Sequence, residues 1–166
     1  MKLKRESPTL KISEKIEILE QITEELTKLR DHNIIHGDLK PHNILLTKGL
    51  RPILTDFGTA VVIRKYEKIA KPFILQYTPA YAAPETIEEG KISKSSDVYS
   101  LATLIIELLT GERTPSQSIG IPAALYSKIK SLKGGTKLYE LISRMRNKNP
   151  ENRLTALEVL ENLRRI

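Results

Sequence analysis

The apolar stretch at residues 98–109 restricts the fold of this chain more than any other feature of the sequence. It is about a dozen residues long and contains Ser100 and Glu107, whereas a helix needs roughly 20 apolar residues to span a bilayer. Gly111 follows it, and glycine commonly ends a helix. We therefore predict a helix from about residue 96 to residue 110 that lies buried in a globular domain.

Amphipathic helices are predicted on both sides of this buried helix. In the segment 13–31, with Ser13 as the predicted cap, apolar residues recur at intervals of three and four, namely Ile16, Leu19, Ile22, Leu26 and Leu29. Segments 122–132 and 136–146 show the same pattern. Thr155 followed by Glu158 forms a capping box that predicts a last helix.

Short strands are predicted between the first helix and the buried one. Short apolar runs occupy residues 34–35, 44–46, 52–55 and 60–63, and polar loops separate them. The segment from there to residue 85 is predicted to be irregular. Together with the helices, these elements predict a mostly α fold of the α+β family.

Composition and charge exclude several kinds of function. At 166 residues the chain suits one domain, and it contains no cysteine, so neither disulfides nor thiolate metal sites are possible. The absence of cysteine suits a cytoplasmic location. The net charge is +7, but Lys and Arg are spread along the chain. We therefore expect no nucleic-acid partner, and the lack of a spanning segment or secretory signal predicts no membrane association.

Three polar loop motifs follow one another in a fixed order. They are His-Gly-Asp-Leu-Lys-Pro-His-Asn at 36–43, Asp-Phe-Gly at 56–58 and Ala-Pro-Glu at 83–85. Together they resemble the catalytic loop, the magnesium-binding motif and the end of the activation segment of eukaryotic-type Ser/Thr protein kinases. The resemblance covers residues 13–166 and implies a kinase C-terminal lobe whose small β-hairpins carry the catalytic and magnesium-binding loops. Residues 1–12 are then expected to be a remnant of the interlobe connection.

The resemblance assigns roles that suit phosphoryl transfer, in which a carboxylate orients the attacking hydroxyl and cations neutralise phosphate charge. Asp38 is the candidate base, and Lys40 places a positive charge near the transferred phosphate. Asn43 and Asp56 are the candidate magnesium ligands, because Mg²⁺ prefers hard oxygen donors. ATP is expected to contact Lys40, Asn43 and Asp56, with Leu45 beneath the adenine.

Other matched positions concern the acceptor and the scaffold. Lys40 and Thr78 are typical of Ser/Thr kinases, so we expect a Ser or Thr of a protein substrate as acceptor, with Thr78 positioning it. The remaining matched residues have expected structural roles. These are packing by His36 and Phe57, a hydrogen bond from Asp97 to the catalytic-loop backbone, and a Glu85–Arg153 ion pair.

Two departures from the family pattern affect regulation and nucleotide binding. Gly37 stands where many kinases have an arginine that binds a phosphorylated activation segment, and residues 60–76 contain no Ser or Thr. We therefore expect activity to be independent of phosphorylation there. The residues before the first helix contain no Gly-rich loop and no strand lysine. We thus expect the N-terminal lobe to be absent and this chain alone to bind nucleotide poorly.

Two classes of function remain open from the sequence. The first is the catalytic lobe of a Ser/Thr kinase using Mg and ATP, either part of a longer protein or completed by a separate N-lobe on a second chain. The second is a weak or inactive kinase-like module that binds and regulates another kinase. Retention of Asp38, Lys40, Asn43 and Asp56 favours the first, because a pure binding module needs none of them. A decayed fragment without function is a third possibility.

Overall fold

The structure, a computed structural model, describes residues 2–3, 9–64, 66–115 and 120–166. The helices with defined bounds are α1 (Ile12–Asp31), α2 (Pro84–Glu89), α3 (Lys94–Thr110), α4 (Ala123–Lys130), α5 (Gly135–Met145) and α6 (Ala156–Leu163). The strands are β1 (Ile34–Ile35), β2 (Ile44–Leu46), β3 (Pro52–Leu54), β4 (Val61–Val62), β5 (Ile69–Ala70) and β6 (Ile92–Ser93). This confirms the prediction of a mostly helical fold with small antiparallel sheets.

Helix α3 forms the centre of the domain. Thirteen of its seventeen residues are buried, as expected for a helix that is apolar on nearly all sides. The hydroxyl of Ser93 accepts a hydrogen bond from the Ser96 amide at the start, and Gly111 ends the helix in the left-handed conformation, with φ of 76°. The predicted buried helix is confirmed, and it begins two residues earlier than expected.

Helix α1 packs against both α3 and α6, and it buries Ile18, Ile22 and Leu26. The prediction that Ser13 caps this helix is wrong. Lys11 is the N-cap residue, and its amide donates to the Glu14 carboxylate at 2.7 Å. Ser13 therefore already lies within the first turn, where its side chain cannot cap. The capping box predicted for α6 is confirmed, since the Thr155 hydroxyl accepts from the Glu158 amide at 3.3 Å.

The strand pairing determines where the loops lie. Strands β1 and β4 pair antiparallel, with Ile35 opposite Val61, and β2 pairs antiparallel with β3. The loop 36–43 connects β1 to β2, and the segment 55–60 connects β3 to β4. Because β1 pairs with β4 and β2 pairs with β3, the loop 36–43 and the segment 55–60 lie side by side.

Helix α2 and the pairing of β5 with β6 were not predicted, because residues 64–85 were expected to be irregular and no element was predicted between there and the buried helix. The two strands are two residues each, which is too short to show an alternating pattern. Helix α2 has six residues and begins at Pro84, a favoured first helical residue. Among the described residues, we find no helix with the length and apolarity needed to cross a membrane.

Candidate active site

Backbone contacts join the two neighbouring loops directly. The Thr55 amide donates to the Asn43 carbonyl at 2.9 Å, and Nε2 of His36 donates to the Thr55 carbonyl at 3.1 Å. Asp56, the next residue, is therefore held beside the catalytic loop. Asp56 itself is exposed and has left-handed backbone angles, with φ of 62° and ψ of 63°. This conformation is uncommon outside glycine but tolerated by aspartate.

Asp38 lies at the centre of a hydrogen-bond network that includes three other predicted site residues. Its side chain is 10% exposed, and Oδ2 lies 2.5 Å from Nζ of Lys40. The Thr78 amide donates to Oδ1 at 2.9 Å, and Lys40 Nζ also donates to the Thr78 hydroxyl at 2.7 Å. Nδ2 of Asn43 donates to the Asp38 carbonyl at 3.0 Å. The structure thus brings Asp38, Lys40, Asn43 and Thr78 together.

Asp97 connects the catalytic loop to the buried helix α3. Its carboxylate accepts from the His36 amide at 2.7 Å and from the Gly37 amide at 2.9 Å. Burial raises the pKa of Asp97 above its ordinary value, and the two amides partly offset this effect. His36 is fully buried, and its Nδ1 accepts from the Asp38 amide at 3.4 Å. The backbone of residues 36–38 is therefore held by the Asp97 carboxylate at His36 and Gly37 and by the His36 ring at Asp38.

The Glu85–Arg153 ion pair is present and buried. Nη1 and Nη2 of Arg153 each lie 2.7 Å from one carboxylate oxygen of Glu85, the two-pronged geometry that suits guanidinium and carboxylate. The Ser96 hydroxyl donates to the same carboxylate at 2.8 Å. The pair ties the start of α2 to the turn before α6.

Phe57 and Leu45 are not fully buried. The Phe57 ring lies 5.1 Å from the His36 ring, but the side chain is 47% exposed. Phe57 thus contacts His36 while nearly half of its side chain stays exposed. Leu45 is half-buried in β2, opposite Ile53. Its proposed contact with adenine stays a prediction.

Tyr81, Glu107 and Arg113 form a cluster that was not predicted from the sequence. The Tyr81 hydroxyl donates to the Glu107 carboxylate, and Nε of Arg113 lies 3.4 Å from the other oxygen of that carboxylate. Burial, and next the Glu107 carboxylate, raise the pKa of Tyr81 above its ordinary value. Glu107 interrupts the apolar stretch of α3, and that interruption was the only available signal in the sequence.

Known proteins and a protein-family model show clear similarity to this chain. Residues 1–163 match the family model described as "Protein kinase domain". The chain belongs to the protein kinase family. It is 34% identical to cysteine-rich receptor-like protein kinase 36 of Arabidopsis thaliana over 75% of this chain and 18% of that protein. It is 40% identical to human 3-phosphoinositide-dependent protein kinase 1 over 55% of this chain and 16% of that protein. The chain thus spans less than a fifth of either relative.

Protein kinases generally use ATP and magnesium, and the donor atoms of this kinase chain fit that requirement. Nδ2 of Asn43 donates to two oxygens of Asp38, so the acceptor Oδ1 lies on the opposite side of the amide. The exposed Asp56 carboxylate is borne on the neighbouring loop. Within the described ranges, no group of three or more His, Cys, Asp or Glu could hold a metal ion. This finding is compatible with Asn43 and Asp56 as the predicted ligands, because Mg²⁺ takes few protein ligands beside waters and phosphates.

Proposed function

We propose that residues 13–166 form the catalytic lobe of a Ser/Thr protein kinase, which transfers the γ-phosphate of ATP to a protein hydroxyl with magnesium. The network around Asp38 carries this proposal. A partly buried carboxylate is held there by the Lys40 ammonium at 2.5 Å and by the Thr78 amide at 2.9 Å. These contacts fix the carboxylate in one orientation before a substrate arrives, as preorganised catalysis requires.

Each residue of the network has a definite task in the transfer. Asp38 accepts the proton of the Ser or Thr hydroxyl as its oxygen bonds to the γ-phosphorus. The bond from that phosphorus to the bridging oxygen breaks, and ADP leaves with the electron pair. Lys40 offsets negative charge on the transferred group. When bound, ATP supplies the phosphoryl group and magnesium neutralises its charge, with Asn43 and Asp56 as the proposed ligands.

The preference for Ser or Thr acceptors rests on Lys40 and Thr78. Their side chains contact each other at 2.7 Å, and the Lys40 ammonium and the Thr78 backbone amide each contact the Asp38 carboxylate. The contact supports the proposal that Thr78 positions the acceptor hydroxyl beside the base.

A non-catalytic module that binds another kinase is the alternative, and exposed apolar groups near the loops favour it. Val62 is 75% exposed and Ile53 48%, and both lie on the paired strands next to the loops. Ile53 lines one surface depression together with the exposed Phe57. Such a surface suits contact with another protein, as a module that binds and regulates another kinase requires.

Phosphate transfer from ATP to a generic basic protein, measured with Mg²⁺, tests the proposal. We expect Asp38→Ala to lower the transfer rate by about 100- to 10,000-fold, the usual contribution of a general base. Asp31→Ala removes an exposed carboxylate at the end of α1 and serves as the matched control. Equal transfer rates in the wild type and in Asp38→Ala would show that Asp38 is not the catalytic base. Because we expect this chain alone to bind nucleotide poorly, absence of transfer by the wild type would favour the binding module where it persists with a kinase N-lobe supplied on a second chain.

A further inference from the structure

Gly37 and Thr59 bring the catalytic loop and the magnesium-binding segment into direct contact. Gly37 has φ of 82°, and a Cβ atom built on it would lie 2.8 Å from the carbonyl oxygen of Thr59. Real Cβ atoms essentially never come this close to a backbone oxygen. The contact therefore requires glycine at position 37, both for its backbone angle and for its lack of a side chain.

The Thr59 hydroxyl adds a hydrogen bond between the same two loops. It donates to the His36 carbonyl at 3.0 Å, whereas the turn at Phe57–Thr59 is already closed by the Ala60 amide on the Phe57 carbonyl. The hydroxyl therefore does not cap its own turn but joins two loops. His36 is itself bonded to Asp97 and to the Asp38 amide, so this bond reaches the backbone of the proposed base.

We propose that Thr59 is a positioning residue, which holds the loop bearing Asp56 against the loop bearing Asp38 and does so without a phosphorylated side chain. The inference rests on the proposed function and names how that site is kept assembled. In this arrangement the Thr59 hydroxyl and the gap at Gly37 take the place of the phosphate contact that an arginine at position 37 provides in other kinases. A hydroxyl already engaged in the site is also a poor candidate for a phosphorylation switch.

Hydrogen exchange of the full chain tests the contact independently of activity. We compare the wild type with Thr59→Val, which removes the hydroxyl at nearly constant shape, and with Thr59→Ser, which restores it. The reporting amides are Ala60, bonded to Phe57, and Ile63, bonded to the Asn33 carbonyl at 2.9 Å. Thr59→Val should speed their exchange about two- to twelvefold, the loss of one ordinary hydrogen bond, and Thr59→Ser should largely reverse this.

The matched control is Thr27→Val, because the Thr27 hydroxyl also donates to a backbone carbonyl, at 2.9 Å, within α1. That variant should leave exchange at Ala60 and Ile63 unchanged. Unchanged exchange in Thr59→Val, or an equal change in Thr27→Val, would overturn the proposed contact whatever the activity of the chain.

Magnesium dependence of the transfer tests positioning itself. Thr59→Val should raise the Mg²⁺ concentration for half-maximal transfer about two- to twelvefold, because Asp56 is then less firmly placed. Thr59→Ser should restore it. Faster exchange with an unchanged Mg²⁺ dependence would show a purely structural contact and overturn the positioning role. Asp38→Ala distinguishes the proposed function from the proposed Thr59 contact. This variant should lose transfer while exchange at Ala60 stays unchanged.

Discussion

Arg153→Ala should destabilise the domain strongly, because the side chain is fully buried and bonded at each of its N–H groups. Besides its two contacts with Glu85, the guanidinium donates to backbone carbonyls of Asn147 at 2.8 Å, Ser95 at 3.1 Å and Lys148 at 3.2 Å. It also lies over the Tyr99 ring, 5.0 Å from the centroid. The substitution removes all of these contacts at once.

The magnitude follows from the charge that is left behind. Without Arg153, the buried Glu85 carboxylate keeps its hydrogen bond from the Ser96 hydroxyl but loses its countercharge, and breaking a buried pair on one side costs about 3–5 kcal/mol. In a domain of this size, 1 kcal/mol lowers the melting temperature by roughly 2–4 °C. We therefore expect a decrease of about 6–20 °C. This loss is a large part of the free energy of unfolding, which is about 5–15 kcal/mol for a typical protein.

Thermal unfolding followed by circular dichroism measures this change, and Arg164→Ala is the matched control. Arg164 lies 2.5 Å from Glu24, but the two side chains are 54% and 40% exposed. Exposed pairs contribute about 0–1 kcal/mol, so this variant should melt within a few degrees of the wild type. An unchanged melting temperature in Arg153→Ala, or a decrease no larger than that of the control, would refute the reasoning.

Two further predictions concern Gly37 and the activation segment. Gly37→Ala should destabilise more than Gly111→Ala. Both residues have positive φ, of 82° and 76°, and share a backbone cost of about 1–2 kcal/mol, but only the former places a Cβ against Thr59. Equal changes in melting temperature would show that the Gly37–Thr59 approach is unimportant. Phosphatase treatment should leave the transfer rate unchanged, because Thr59 and Thr78 already bond within the site. A rate lost on treatment and regained on rephosphorylation would contradict this expectation.

The elements that sequence reasoning found are those with a local signal. Helix α3 is apolar all round, α1 has a regular apolar face, and Thr155 with Glu158 gives α6 a capping box. The three loop motifs likewise indicated Asp38, Lys40 and Asn43, which the structure places in one network. Such features depend on residues near one another in sequence.

What the sequence did not reveal depends on contacts between distant residues. Strands β5 and β6 are two residues long and exist because Ile69 pairs with Ser93 across the chain. Phe57 looks like a core residue by type, but its exposure depends on which segments lie around it. Tyr81 and Glu107 are 26 positions apart, and no spacing rule relates them.

Gly37 shows how one residue can be interpreted differently from sequence and from structure. In the sequence it marks the loss of an arginine, which suggests only that a regulatory contact is missing. In the structure the same glycine lets the Thr59 carbonyl lie where a Cβ would be, and the Thr59 hydroxyl bonds the neighbouring His36 carbonyl. An arginine at position 37 would have to displace Thr59 before it could bind any phosphate. The two modes of holding the segment therefore exclude each other at this position, and we expect Gly37→Arg alone not to restore control by phosphorylation.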